Sequence, residues 1–158
     1  MSKCADAGQD IDANFKVIGS NEAFLLKSTW TFVNPGTGAA GSHTLFTGTG
    51  DYLANVWGHC TTNMDGAGAD FEVGVTGNTA ALIAQIADVE DLDAGEIYQS
   101  NTPTVGAGVA LANAIPITNG LDIILKITNA DITAGVVTWY CLWRPLSSDA
   151  NVTVTTSA

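Results

Sequence analysis

The sequence predicts an all-β domain, a sandwich or a barrel, and three observations carry that prediction. Apolar and polar residues alternate over short runs, the runs recur roughly every ten residues, and Gly, Asn or Asp fills the gaps between them. The chain has 158 residues, 17 of them Gly. That length suits one domain able to bury a core without disulfide staples.

Taken in order, residues 1–22 read as an extended polar, acidic N-terminal arm whose apolar anchors are Ile11, Phe15, Val17 and Ile18. A short ordered patch is expected around Phe15-Lys16-Val17-Ile18. The β domain follows as residues 23–158. Its first strand, Phe24–Val33, places Phe24, Leu26, Trp30 and Phe32 on one alternating face. Asn34-Pro35-Gly36 ends it, because Pro cannot continue a ladder and Gly permits the turn. Further strands are predicted at His43–Thr49, Tyr52–Cys60, Asp70–Thr76, Ala80–Ala87, Ile97–Ser100, Val109–Thr118, Leu121–Asn129 and Val136–Trp143. Ala80–Ala87 also has helical propensity, but its length favours a strand. Asn119-Gly120, flanked by Ile115/Ile117 and Ile123/Leu125/Ile127, gives the best hairpin signal, since Asn-Gly accepts the positive φ values of a type I′ turn. After Trp143-Arg144-Pro145 the chain turns polar, and Asn151–Thr156 reads as a last edge strand or a loose tail.

Charge removes whole classes of partner. Asp and Glu number 16 against 5 Lys and Arg, a formal net charge of −11. Nucleic-acid binding needs clustered cations to displace counterions, and an anionic membrane surface is disfavoured for the same reason. No secretory h-region is visible near Met1, and no run approaches the length of a spanning helix. Cys4, Cys60 and Cys141 are too widely spaced for a disulfide framework or a zinc motif.

The motifs with chemical potential are weak. Gly36-Thr-Gly38-Ala-Ala-Gly41 matches GxGxxG, but a dinucleotide site needs a helix to open directly after it, and β residues follow. A flexible Gly/Ala loop is the expectation. His43 and His59 are the candidate bases, yet Ser42-His43 and His59-Cys60 are adjacent pairs whose side chains a strand throws to opposite faces. The run Asp88–Glu96 fails the EF-hand offsets, leaving a solvated acidic loop with Asp91 and Asp93 as its only calcium candidates. No catalytic, cofactor-binding or metal-binding residues are therefore assigned, and the chain reads as a non-enzyme without cofactor.

The aromatic residues are more informative. Trp139, Cys141 and Trp143 share one face of their strand, while Tyr140 and Leu142 share the other. A strand apolar on both faces is central, buried on two sides or at a subunit contact. A sugar-stacking platform of exposed Trp or Tyr is the competing reading.

Leu121-Asp-Ile-Ile-Leu-Lys-Ile-Thr, Ala130-Asp-Ile-Thr-Ala-Gly135 and Trp139-Tyr-Cys-Leu-Trp-Arg-Pro145 resemble a segment of small structural proteins of tailed bacteriophages, those of cyanobacterial and marine phages in particular. The similarity runs from Val105 onward, with a looser likeness before it. The resemblance implies a jelly-roll-like antiparallel β-sandwich, commonly trimeric, that acts as a capsid decoration (cement) protein. Its partners would be the major capsid protein and itself, and its place the capsid exterior of a virion made in a host cytoplasm. Candidate contact residues are Phe15 and Ile18 in the arm and Trp57, Trp143 and Arg144 in the sandwich. A carbohydrate-binding or receptor-binding virion module is the alternative.

Overall fold

A computed structural model describes residues 23–106 and 110–155, with the backbone of two short strands, Asp10–Ile11 (β1) and Val17–Ile18 (β2), which pair with each other. The expected arm otherwise lies outside the described residues. The sandwich begins with Phe24–Thr31 (β3), Gly41–Thr49 (β4), Tyr52–Asp65 (β5), Asp70–Val75 (β6) and Asn78–Ile86 (β7). It continues with Glu96–Tyr98 (β8), Thr104–Val105 (β9), Ile115–Ile117 (β10), Ile123–Thr128 (β11), Ala134–Pro145 (β12) and Asn151–Val154 (β13).

Two antiparallel sheets result, one ordered β3-β12-β5-β8-β9 with β10 also on β5, the other β13-β4-β11-β6-β7. With β1, β2, β9, β10 and the edge strand β13 set aside and the other eight strands numbered along the chain, the sheets run 1-8-3-6 and 2-7-4-5. That interleaving, in which the chain repeatedly crosses from one sheet to the other, is the jelly roll. Alternation decides the inner faces. Trp30 and Phe32 point inward from the first sheet, and Phe71, Val73, Leu125 and Ile127 meet them from the second.

The centre of this core is aromatic. Trp139 stands edge-on to Phe71 at 6.1 Å and to Tyr98 at 6.2 Å, and Phe71 and Tyr98 meet at 4.9 Å and 85°. Such edge-to-face pairs add about 0.5–1.5 kcal/mol each beyond area burial. The Tyr98 hydroxyl shares its one proton between two carbonyls on the opposite sheet, those of Ala84 at 2.7 Å and Phe71 at 3.0 Å. Tyr52 spans the other end of the sandwich, donating to the Leu121 carbonyl at 2.5 Å. Burial pushes both phenols well above their ordinary range, so both stay protonated donors.

Three expectations need correction. Asn119 and Gly120 do adopt positive φ (61° and 64°), but the turn joins β10 in the first sheet to β11 in the second, so no hairpin forms. The turn is seated on its neighbours: Gly120 N–H donates to the Gly50 carbonyl at 2.9 Å and Asn119 N–H to Asp51 Oδ1 at 2.9 Å. Of the described residues in the strand expected over Val109–Thr118, Ile115–Ile117 pair, and the Ala-rich residues 110–114 are exposed and irregular. The Gly36–Gly41 loop is pinned rather than flexible. Ile132 N–H donates to the Gly38 carbonyl at 2.7 Å and Ala40 N–H to Asp131 Oδ1 at 2.7 Å. A Cβ at Gly38 would lie 1.9 Å from the Ile132 carbonyl oxygen, so that backbone approach requires glycine. Ala80–Ala87 lies largely within β7 and is strand.

Trp139→Ala is expected to cost about 3–5 kcal/mol, because the void sits where both sheets meet. Tyr98→Phe should cost about 1–2 kcal/mol by leaving buried carbonyls without their donor. Chemical denaturation reads both. Burial also pushes the Cys141 thiol up to about 12 and the Cys60 thiol to about 11, from an ordinary value near 9. Above pH 9 the unfolded chain loses these protons first, so stability should hold below about pH 8 and fall progressively from 9 towards 12. Denaturation midpoints across that range check the sign.

Candidate functional site

The parity of β12 that fills the core also builds an outer face. With Trp139, Cys141 and Trp143 turned inward, Tyr140 and Leu142 turn outward, and cross-strand pairing sets their neighbours. Tyr140 stands opposite Lys27 on β3 and Trp57 on β5, and Leu142 opposite Leu25 and Asn55. The Trp57 and Tyr140 rings stack at 5.4 Å and 12°, and Lys27 Nζ lies 6.0 Å from the Tyr140 ring centre. The result is a ladder of partly exposed apolar and aromatic side chains across three strands. Leu25 is 58% exposed at one end, and Val105 on β9 is 73% exposed at the other.

Two hollows open on this face. One of about 550 Å³ is lined by Trp57, His59, Tyr140, Ile97 and Val105, with Gly95 and Gly106 in its wall. A smaller one of about 250 Å³ lies among Leu53, Asn55, Ala114, Leu142 and Arg144. Beside it the Asn55 amide donates to the Ala112 carbonyl, which holds the segment before β10 against the sheet. The second sheet has a hollow of its own, about 460 Å³, but it is lined mainly by Ser, Thr and Gly with Asp122.

The sequence-chosen contact residues divide. Trp57 lies on the outer face as part of the stacked pair, and Arg144 is exposed at the end of β12. Trp143 must be corrected: it shares the parity of Trp139, is 4% exposed and stacks on Phe24 at 5.0 Å inside the sandwich, so it offers no contact surface. Phe15 and the Ile18 side chain lie outside the described residues. Tyr140, Leu142, Leu25 and Lys27 belong to the face and were not chosen, although the two-faced pattern of β12 already separated Tyr140 and Leu142 from the core set.

The residues weighed for chemistry are dispersed. His43 donates through Nε2–H to the Ala39 carbonyl at 2.7 Å and sits edge-on to Trp30 at 6.0 Å, while Ser42 faces the opposite side of the strand. His59 lies on the outer face and Cys60 in the core. In the acidic run, Asp88 caps the short turn Val89–Asp91 by accepting from Glu90 N–H at 3.0 Å, and Glu96 accepts from Asp93 N–H at 2.8 Å. Among the described residues, no three of His, Cys, Asp or Glu gather in a metal-holding group. Trp30, Trp139 and Trp143 are buried, which leaves Trp57 as the one tryptophan available to a sugar.

No protein-family model matches the sequence, and no curated protein is detectably similar to it. In three dimensions the chain is similar to a chain of the acidic stable capsid structure of Helicobacter pylori bacteriophage KHP30, at a TM-score of 0.53. Sequence identity is 13%, and the match spans 84% of this chain and 94% of that one. At that identity the likeness is one of fold: the jelly roll read from the strand order is an arrangement also found in a phage capsid.

Proposed function

We propose that this chain is a structural subunit of a phage virion that decorates the outside of the head and stabilises junctions between capsomers of the major capsid protein. The observation that supports it best is the fold match, which takes in nearly the whole of a chain from a phage capsid structure. The sequence adds an independent argument. A chain of net charge −11 is repelled by packaged DNA, which favours the exterior of a shell over its interior. The first sheet also presents a broad, weakly charged face with aromatic anchors, the composition of a protein contact more than of a catalytic cleft.

The polar arm would reach a neighbouring subunit, with Phe15 and Ile18 as its anchors. Deleting residues 1–21 should leave the melting transition of the β domain within a few degrees of its original value, since the described residues from β3 onward already form a two-sheet core. The same deletion should lower occupancy on shells stripped of this subunit and then re-incubated with it. Equal occupancy by truncated and full-length chains would remove the arm from the account, and absence of the chain from purified virions would remove the capsid reading.

A second reading has one specific support, the partly exposed Trp57–Tyr140 pair beside the larger hollow. On that reading the virion subunit holds a host-surface glycan. Titration with oligosaccharides should then quench Trp57 fluorescence in the native chain, and Trp57→Phe should remove the response. A flat titration in the native chain rejects it.

A further inference from the structure

We infer that the outer face of the β3-β12-β5-β8 sheet is a self-association surface whose occupant is a second copy of this chain, laid against it face to face. The inference concerns the isolated chain and stands whether or not the capsid reading holds.

Charge distribution identifies the occupant. The chain carries 16 acids, yet none occupies the outward positions from Leu25 to Thr29 on β3, from Thr138 to Arg144 on β12 or from Leu53 to His59 on β5. Lys27 on β3 and Arg144 at the end of β12, opposite Leu53 of β5, are two of only 5 Lys and Arg in the sequence and lie on this face. Away from these cations, before the start of β8, the chain runs beside the far end of β5, where Gly95 N–H donates to the Cys60 carbonyl and Met64 N–H to the Leu92 carbonyl; this acidic turn exposes Asp91 and Asp93 there. One face therefore has a cationic margin and an anionic margin. A two-fold rotation lays each margin on its opposite, so that residue i meets j while j meets i, the condition for a closed symmetric pair. An unrelated acidic protein satisfies the cations and is repelled by the acids.

The face is suited to contact in two further respects. Trp57 and Tyr140 are already stacked on each other, so little rotamer freedom remains to be lost on docking. Strands β3, β12, β5, β8 and β9 hold 39 residues between them, which at about 3.4 Å rise and about 4.8 Å spacing give roughly 600 Å² of flat area. Side-chain relief and the two hollows raise the accessible area towards the roughly 800 Å² per partner of a standard interface. The apolar ends at Leu25 and Val105 are large side chains held in water until such a partner covers them.

Complementary charge reversal tests the pairing. One variant carries Lys27→Glu and Arg144→Glu, the other Asp91→Lys and Asp93→Lys. Analytical ultracentrifugation of the full chain at about 10–100 μM should give a dimer for the native protein. Each variant alone should dissociate at least tenfold more readily, because both margins then repel. An equimolar mixture of the two should recover the dimer, since every contact across the pair is again between opposite charges. A monomeric native chain overturns the inference, as do variants that associate as well as the native chain, or a mixture no tighter than its components. If a double variant lacks a cooperative melt, Lys27→Glu and Asp93→Lys singles replace the doubles in the same mixing test.

Discussion

Trp139 is the side chain about which the two sheets are set. Its ring is fully buried and meets Phe71 of the opposite sheet edge-on, while Tyr98 closes the cluster and donates its hydroxyl across the gap. The contact fixes more than local packing. Strand side chains alternate, so placing Trp139 inward commits Cys141 and Trp143 to the core and Tyr140 and Leu142 to the outside. A slip of one residue in β12 would put two indoles into water and bury a phenol and a leucine in their place. The register of β12 against β3 and β5 is thereby held, and with it the first sheet as a whole.

What the fold exposes follows from the same constraint. β12 is apolar on both faces, and only one face can be covered from within a two-layer sandwich. The other is left as the Lys27–Tyr140–Trp57 and Leu25–Leu142–Asn55 rows, free of acids and exposed in whole or part except at the buried Asn55. The two hollows on this side arise where β8, β9 and β10 are too short to extend the sheet along the full length of β5. Strand order, core and contact face are three consequences of one alternating sequence.

Most of the strands were legible because their signal is local. The alternation of Phe24 to Trp30, and of Val137 to Trp143, survives in β3 and β12, and the turn residues between strands stand where the chain reverses. The errors arise where the partner is distant. The Asn119-Gly120 turn has the conformation its residues prefer, but nothing in Ile115–Leu125 says that its two arms enter different sheets. That is settled by β5 on one side and by β4 and β6 on the other. β5 runs past Cys60 through the polar Thr61-Thr62-Asn63 because β12 pairs with it there, at Val136 opposite Thr62. Trp57 and Trp143 were both chosen by residue type, and of the two only Trp57 lies on the outer face. Indoles favour interfaces and cores alike, and only parity with Trp139 separates them.

The most direct measurement is a reconstruction of the intact virion at side-chain resolution. The account predicts ordered jelly-roll density outside the shell, with the Tyr140 and Trp57 rings covered by a neighbouring subunit and Trp139 and Trp143 enclosed between the sheets. Particles that carry no such density, or density in which the Tyr140–Trp57 face stands open to solvent on every copy, would contradict it.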